Sequence, residues 1–243
     1  MMKRVGNFMK IDIWSDFACP FCYIGKRHLE KALENYEDVE LVFHSYELDP
    51  TTSVDFYSDA NQMLADKYGM SYEEAKQNNG RVIEMAKQAG LHYDFEKIKI
   101  TNTVNAHRVA QFAKTKGLGN AFVEATLHAY FSEGAYLNDE ETLVNLGTSV
   151  GLDADDVRRV FQSDEFLTDV RQDQAQAKAI GITGVPFFVI DEKYGVSGAQ
   201  PIAVFEEVLE KVGATPKKAA PLQMMGDTQA PGCEDGACEI KFS

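Results

Sequence analysis

The spacing of apolar residues switches between two periods along the chain, and the switches divide it into three parts. From Lys10 to Asp16, Ile11 and Ile13 alternate with polar neighbours and Trp14 follows, the pattern of a strand. Pro20 suits the first turn of a helix, where its missing amide has no partner to lose. Ile24, Leu29, Ala32, Leu33 and Tyr36 then carry helical spacing to about Asn35. A second strand is expected from Val39 to about Leu48, with Leu41, Phe43 and Ser45 on one face. Strand, helix and strand predict a right-handed crossover between parallel strands.

Asp49-Pro50-Thr51-Thr52-Ser53 ends that pattern. From about Asn61 to Ala179 the spacing is helical almost throughout, as in Val82/Ile83/Ala86/Ala89 and Phe122/Ala125/Leu127/Phe131. Gly90, Gly117, Gly134 and Gly151 stand where helices should end. Asn138–Glu141 and Ser163–Glu165 carry N-terminal signals, with acids placed in a first turn. Strand character returns at Pro186–Ile190 and near Val196, with Asp191–Gly195 as a hairpin turn. Gln200 to Val212 reads as an amphipathic helix.

The order is therefore βαβ, helices, ββα. The two ends can complete one mixed sheet only if the helical block is an insertion. The expected organisation is a leader over 1–9, a sheet domain built from 10–52 and 181–213, an all-helical insertion over 53–180, and a flexible tail over 214–243.

Composition narrows the function. The 243 residues hold 38 acidic and 24 basic side chains, a net charge of −14 that repels phosphate backbones, so nucleic acid is not an expected partner. No apolar run approaches the roughly 20 residues of a membrane span. The first ten residues are basic and lack the apolar core of a secretory signal, so a cytoplasmic location is expected.

Four cysteines form two close pairs, Cys19/Cys22 and Cys233/Cys238. In a reducing compartment such pairs point to redox chemistry or to metal binding. Cys19-Pro20-Phe21-Cys22 lies where the first strand hands over to a helix. The helix N-terminus offers free amides and partial positive charge, so Cys19 is expected to be an exposed thiol of lowered pKa. Cys22, one turn later and deeper, could attack a mixed disulfide formed at Cys19. Phe21 brings no charge or donor that would make the pair strongly oxidising. The competing reading is half of a zinc site, since zinc ribbons share the spacing; a proline and an aromatic opening a helix favour redox. Val185-Pro186, at the start of the returning strand, is the place where a cis proline would free backbone groups to pair with an extended peptide.

A strand leading into Cys-Pro-Phe-Cys-Tyr, a helical insertion and Gly184-Val185-Pro186-Phe187-Phe188 together resemble the thioredoxin-fold oxidoreductases of the DsbA family. Within it, Ser15–Arg27, Asn102-Thr103-Val104-Asn105-Ala106-His107-Arg108 and Gly181–Phe188 resemble the FrnE-like branch most. The resemblance covers roughly residues 9 to 213. It implies a thioredoxin-like mixed sheet, a dithiol–disulfide oxidoreductase with Cys19 as nucleophile and Cys22 as resolving thiol, and Pro20, Phe21, Val185 and Pro186 facing substrate. It implies disulfide-containing proteins or peptides as substrates. No metal or nucleotide cofactor is needed, with glutathione or another thiol as electron donor. The best-known members are secreted oxidants with histidine between the cysteines. Phe21 and the absence of a signal here favour reduction or isomerisation. A neighbouring branch, the kappa-class glutathione transferases and 2-hydroxychromene-2-carboxylate isomerases, has serine at the position of Cys19 and stays the alternative enzyme. A zinc-stabilised client-binding module is the non-enzymatic alternative.

Three features stay open. His107 is either a buried, hydrogen-bonded helix residue below an Asn102 or Thr103 cap, or a donor at the rim of the dithiol groove. Asp16 either caps a turn or relays protons. Cys233 and Cys238 sit among Glu234, Asp235 and Glu239, which raise thiol pKa values. They are an exchange partner for Cys19/Cys22, an inert pair, or zinc ligands together with it. FrnE-like proteins carry such a Cys-x4-Cys tail. The sequence leaves the oligomeric state undetermined.

Overall fold

The computed structural model describes residues 8–57 and 59–217. Its sheet has four strands in the order β2-β1-β3-β4, formed by β1 (Met9–Ser15), β2 (Val39–Ser45), β3 (Phe187–Ile190) and β4 (Tyr194–Ser197). β1 pairs parallel with β2 and antiparallel with β3, and β3 pairs antiparallel with β4. Helix α1 (Pro20–Ala32) makes the crossover and runs on through a single 3-10 turn, Leu33–Asn35. The second strand stops three residues short of Leu48. Beyond Ser45 the backbone turns toward the end of β1, where Tyr46 donates to the Ser15 carbonyl and Leu48 to the Asp16 carboxylate.

The insertion holds α2 (Ala60–Tyr68), α3 (Tyr72–Gln88), α4 (Val104–Thr115), α5 (Gly119–His128), α6 (Glu140–Ser149), α7 (Ala154–Gln162) and α8 (Leu167–Ala179). Ser71 and Glu74 form a reciprocal capping box on α3, and Asp139 and Asp153 cap α6 and α7. The signal at Ser163–Glu165 falls one turn early. Ser163 closes α7, the Ser163 hydroxyl accepts from the Glu165 amide, and α8 begins only after Phe166 in a left-handed conformation. A π turn, Ala129–Glu133, extends α5 and ends at Gly134. A β-carbon at Gly134 would lie 2.4 Å from the Lys97 carbonyl, so only glycine fits that crossing.

α9 (Ile202–Val212) and α1 cover one face of the sheet, around Ile11, Ile13, Leu29, Phe188, Phe205 and Leu209. α8 covers the other, where Ala177 and Ile182 pack on Trp14. A second core fills the insertion, and Phe17, Tyr23 and Ile24 reach into it from the sheet domain. The cleft between the two cores begins where β1 passes into α1. After Gly213 the chain does not leave the body at once. Glu37 donates to the Thr215 carbonyl and Lys217 to the Asn35 carbonyl, which pins 214–217 at the far end of α1. Among the described residues no helix is long and apolar enough to cross a membrane.

Candidate active site

β1 ends at Ser15, and the next four residues fold so that Cys19 becomes the N-cap of α1, with Pro20 in its first turn. The Asp16 side chain builds that turn: its Oδ1 accepts from the Ala18 amide at 3.2 Å, and its backbone carbonyl accepts from the Cys19 amide at 3.2 Å. Cys22 follows one turn later, and its sulfur accepts from the Asp16 amide at 3.4 Å. Both thiols are free. Burial, and then the neighbouring Cys19 sulfur, push the Cys22 thiol well above its ordinary pKa.

Cys19 is not the exposed thiol expected of a helix cap: the residue is 3% exposed. Its sulfur donates to the Val185 carbonyl at 3.5 Å, so the loop that opens β3 lies across it. The Val185–Pro186 peptide bond is cis, and the Pro186 carbonyl accepts from Gly198 at 2.8 Å. Gly25 lets α1 approach this loop, since a β-carbon there would meet Pro186 and Phe188 at 3.1 Å. Phe21 is the exposed member of the motif, at 38%. Pro20 offers its carbonyl to the Tyr93 hydroxyl at 2.7 Å.

Behind the turn, Asp16 is 2% exposed and takes four donors. Besides Ala18, these are the Leu48 amide at 2.7 Å, the Thr103 hydroxyl at 2.8 Å and His107 Nε2 at 3.3 Å. Burial pushes the Asp16 carboxyl up, but the hydrogen bond and charge of His107, with Leu48 and Thr103, leave it below the ordinary carboxylate value. The structure thus places His107 behind the dithiol turn, 3% exposed and beside the Phe17 ring. The rest of the Asn102–Arg108 segment ties loops together. The Asn102 side chain caps α4 through the Val104 amide and donates to the Pro50 and Thr52 carbonyls, and Arg108 binds the carbonyls of Val160, Ser163 and Glu165.

Sequence reasoning missed Tyr93 and Tyr130, and it weighed Thr103 only as a helix cap, whereas its hydroxyl donates to Asp16. Tyr93 stacks on Phe131 and raises no periodic signal in its loop. Burial, and then the two cysteine sulfurs, hold its hydroxyl protonated above the ordinary tyrosine value. A cleft of about 590 Å³ opens beside the dithiol, edged by Ala18 and Pro20 and lined by residues of α2, the segment before α4 and the π turn. Among the described residues, no group of three or more His, Cys, Asp or Glu side chains is arranged to hold a metal ion. Cys233 and Cys238 lie outside the described residues.

The arrangement can accept a disulfide at Cys19 and resolve it from Cys22. Comparison with known proteins identifies the family. The uncharacterized protein YwbO of Bacillus subtilis (strain 168) is 27% identical over 203 residues, covering 82% of this chain and 94% of that protein. The crystal structure of the probable DsbA oxidoreductase SCO1869 from Streptomyces coelicolor is 39% identical, covers 89% of this chain and 94% of that one, and superposes with a TM-score of 0.80. A 2-hydroxychromene-2-carboxylate isomerase shares the fold at 14% identity and a TM-score of 0.64, with 84% of this chain and 96% of that one covered. The family model for the DSBA-like thioredoxin domain matches residues 10–210, and the chain belongs to that family, as a thiol–disulfide oxidoreductase of the DsbA superfamily.

Proposed function

We propose that the protein reduces or isomerises disulfides of proteins and peptides in the cytoplasm through Cys19 and Cys22, as a member of the FrnE-like branch. The observation that carries the reading is two free thiols one helical turn apart, one at the α1 N-cap under the Val185 carbonyl, the other at the Asp16 amide. The Cys19 thiolate attacks one sulfur of a substrate disulfide, and the other sulfur leaves as a thiolate and takes a proton from solvent. Cys22 gives up its proton and attacks the Cys19 sulfur. The mixed disulfide breaks, the reduced substrate leaves, and two electrons have passed from the dithiol. A thiol donor returns the pair to the reduced state and is itself left as a disulfide. Burial holds Cys22 protonated in the reduced protein, so it gives up its proton as it attacks. Val185 and Pro186 present backbone to the substrate, Pro20 and Phe21 flank it, and His107 acts through Asp16.

Cys233 and Cys238 serve as a second redox pair that exchanges with the first. Lys217 is pinned at the far end of α1, and a helix of 13 residues is about 20 Å long. The chain from Lys217 to Cys233 can span at most about 55 Å, so it is long enough to bring the second pair to the first. Replacing both tail cysteines by serine should change turnover or the redox state of Cys19/Cys22 during turnover; if both are unchanged, the pair is no part of the reaction.

The decisive test is the reduction potential of Cys19–Cys22, read by thiol labelling and mass spectrometry. A value near thioredoxin's, about −270 mV, fits a reductase, and one near −120 mV requires an oxidant. Cys22→Ser should trap a mixed disulfide at Cys19. If no Cys19–Cys22 disulfide forms at any poise, the proposal is wrong.

A further inference from the structure

The cleft beside the dithiol has a composition of its own. Ala18 and Pro20, on either side of Cys19, form its edge. Its walls are apolar, with Leu48, Met63, Leu64, Phe95, Ile98 and Ile100. At about 590 Å³ it falls within the range of sites that enclose a small ligand, so a large side chain with some of its backbone fits.

Asp16, Asn79, Thr101, Thr103 and Tyr130 add polar groups to the lining. The π turn carries Tyr130 and Phe131 into the cleft. Tyr130 is 2% exposed as a residue and lines the cleft. Its hydroxyl is not one of the sealed, unpartnered side-chain atoms among the described residues, which are Glu47 Oε1 and Thr126 Oγ1. A phenol in the wall of a cleft can donate to what enters it. Burial, and then the Asp16 carboxylate, keep the phenol protonated, so it enters the cleft as a donor.

The rim adds a charge preference. Asp49 and Asp66 border the cleft with a single cation, Lys67, which already pairs with Asp49 at 3.3 Å. Tyr57 and Tyr68 stand at the mouth, 47% and 63% exposed, and offer ring faces to an incoming segment. An acidic rim on a chain of net charge −14 disfavours an anionic thiol compound and favours a neutral or positive one.

We propose that this cleft selects the substrate: it takes a bulky apolar side chain, preferably aromatic, flanking the cystine of a neutral or basic peptide, and Tyr130 donates a hydrogen bond to a carbonyl of that segment. This rests on the disulfide exchange proposed above and specifies which disulfides are exchanged. Tyr130 is a specificity-determining residue, and glutathione disulfide, which is anionic, is a poor substrate.

The test compares initial rates of the reduced full-length protein on four disulfides. Three are peptides that carry the same leaving thiol and have Phe, Ala or Asp next to the cysteine. The fourth, hydroxyethyl disulfide, is too small to reach the cleft. The Phe peptide should exceed the Ala peptide at least tenfold in kcat/KM, with the Asp peptide slowest. Leu64→Trp fills the cleft from the half-buried face of α2 and should bring the Phe-to-Ala ratio below threefold. Tyr130→Phe keeps the ring packing and should raise KM for the peptides three- to tenfold more than KM for hydroxyethyl disulfide. A Phe-to-Ala ratio within twofold in the parent protein overturns the proposal. So does faster turnover of glutathione disulfide than of the Phe peptide, or ratios in both variants that match the parent. If hydroxyethyl disulfide is not reduced either, the exchange reading itself fails, and the selectivity falls with it.

Discussion

Two buried carboxylate–imidazole clusters lie four residues apart along the first strand and its exit, and they do different work. In the lower one His44 lies between two acids, with Nε2 2.7 Å from Asp12 and Nδ1 2.8 Å from Asp173. Both ring nitrogens face carboxylates, so both must donate, and the imidazole is a cation. Trp14 stacks on it with ring centroids 4.5 Å apart and donates to the Asp173 carbonyl; Ser45 and Gln111 complete Asp173. This cluster clamps β1, β2, α4 and α8 together. In the upper one Asp16 gathers two backbone amides, a hydroxyl and one histidine nitrogen, and its own amide points at the Cys22 sulfur. The same chemical pair is a brace in one place and a template for the dithiol turn in the other. What separates them is which backbone the carboxylate holds.

The largest effects should come from breaking each cluster outright. His44→Ala leaves Asp12 and Asp173 buried and facing each other, and should cost about 3–5 kcal/mol in urea unfolding. Exchange by the folded protein should stay within twofold of the parent. Asp16→Ala strands four donors and should cost a similar amount, but its folded fraction should exchange disulfides at least tenfold more slowly. Equal losses of exchange in the two variants would erase the distinction between brace and template.

A gentler pair of substitutions sharpens it. Thr103→Val removes one hydroxyl from Asp16, and Gln111→Leu removes one amide from Asp173 and Ser45. A hydrogen bond to a charged group contributes about 1.5–3 kcal/mol, so both should lower stability by amounts near the bottom of that range. Only Thr103→Val should slow exchange, by roughly threefold. The measurement is single-turnover reduction of a cystine peptide beside a denaturant curve for each variant.

The contrast also marks what the sequence could disclose. The strand–helix–strand opening, the helical insertion and the closing hairpin and helix were legible because each depends on spacing over a few residues. The Cys-Pro-Phe-Cys turn and Val185-Pro186 were legible for the same reason. Asp16 could be weighed as a turn cap or a proton relay but not as the centre of a cluster, because its other partners are Leu48, Thr103 and His107, 32, 87 and 91 positions away. Cys19 looked exposed because a helix cap usually is, and the carbonyl that covers it comes from 166 residues downstream. His44 gave no signal, since Asp173 approaches it across 129 residues and only after α8 has docked on the sheet. Periodicity names the elements, but it is silent on which polar groups meet when they pack.

The smallest expected effect is the one that reads His44 directly. Burial pulls the His44 pKa down, but the hydrogen bonds and charges of Asp12 and Asp173 leave it above the ordinary 6.5. A group with a raised folded pKa stabilises fully below its unfolded value, and that contribution disappears as pH rises through the folded value. Asp12 and Asp173 are held below the ordinary 3.8 despite burial, so their contributions are complete above that value and fail as pH falls. The clamp should therefore be strongest between about pH 4 and 6.5, with an alkaline decline of about 1.4 kcal/mol for each unit by which His44 is raised. Trp14, the single tryptophan of the chain, reports on the same proton, because an imidazolium stacked on indole quenches its emission. Emission should rise with pH along the stability decline, and His44→Gln should remove both changes. Thr103→Val, which leaves the lower cluster whole, should keep both. A stability decline that survives in His44→Gln would assign the alkaline limb to another group and leave the lower cluster without its cation.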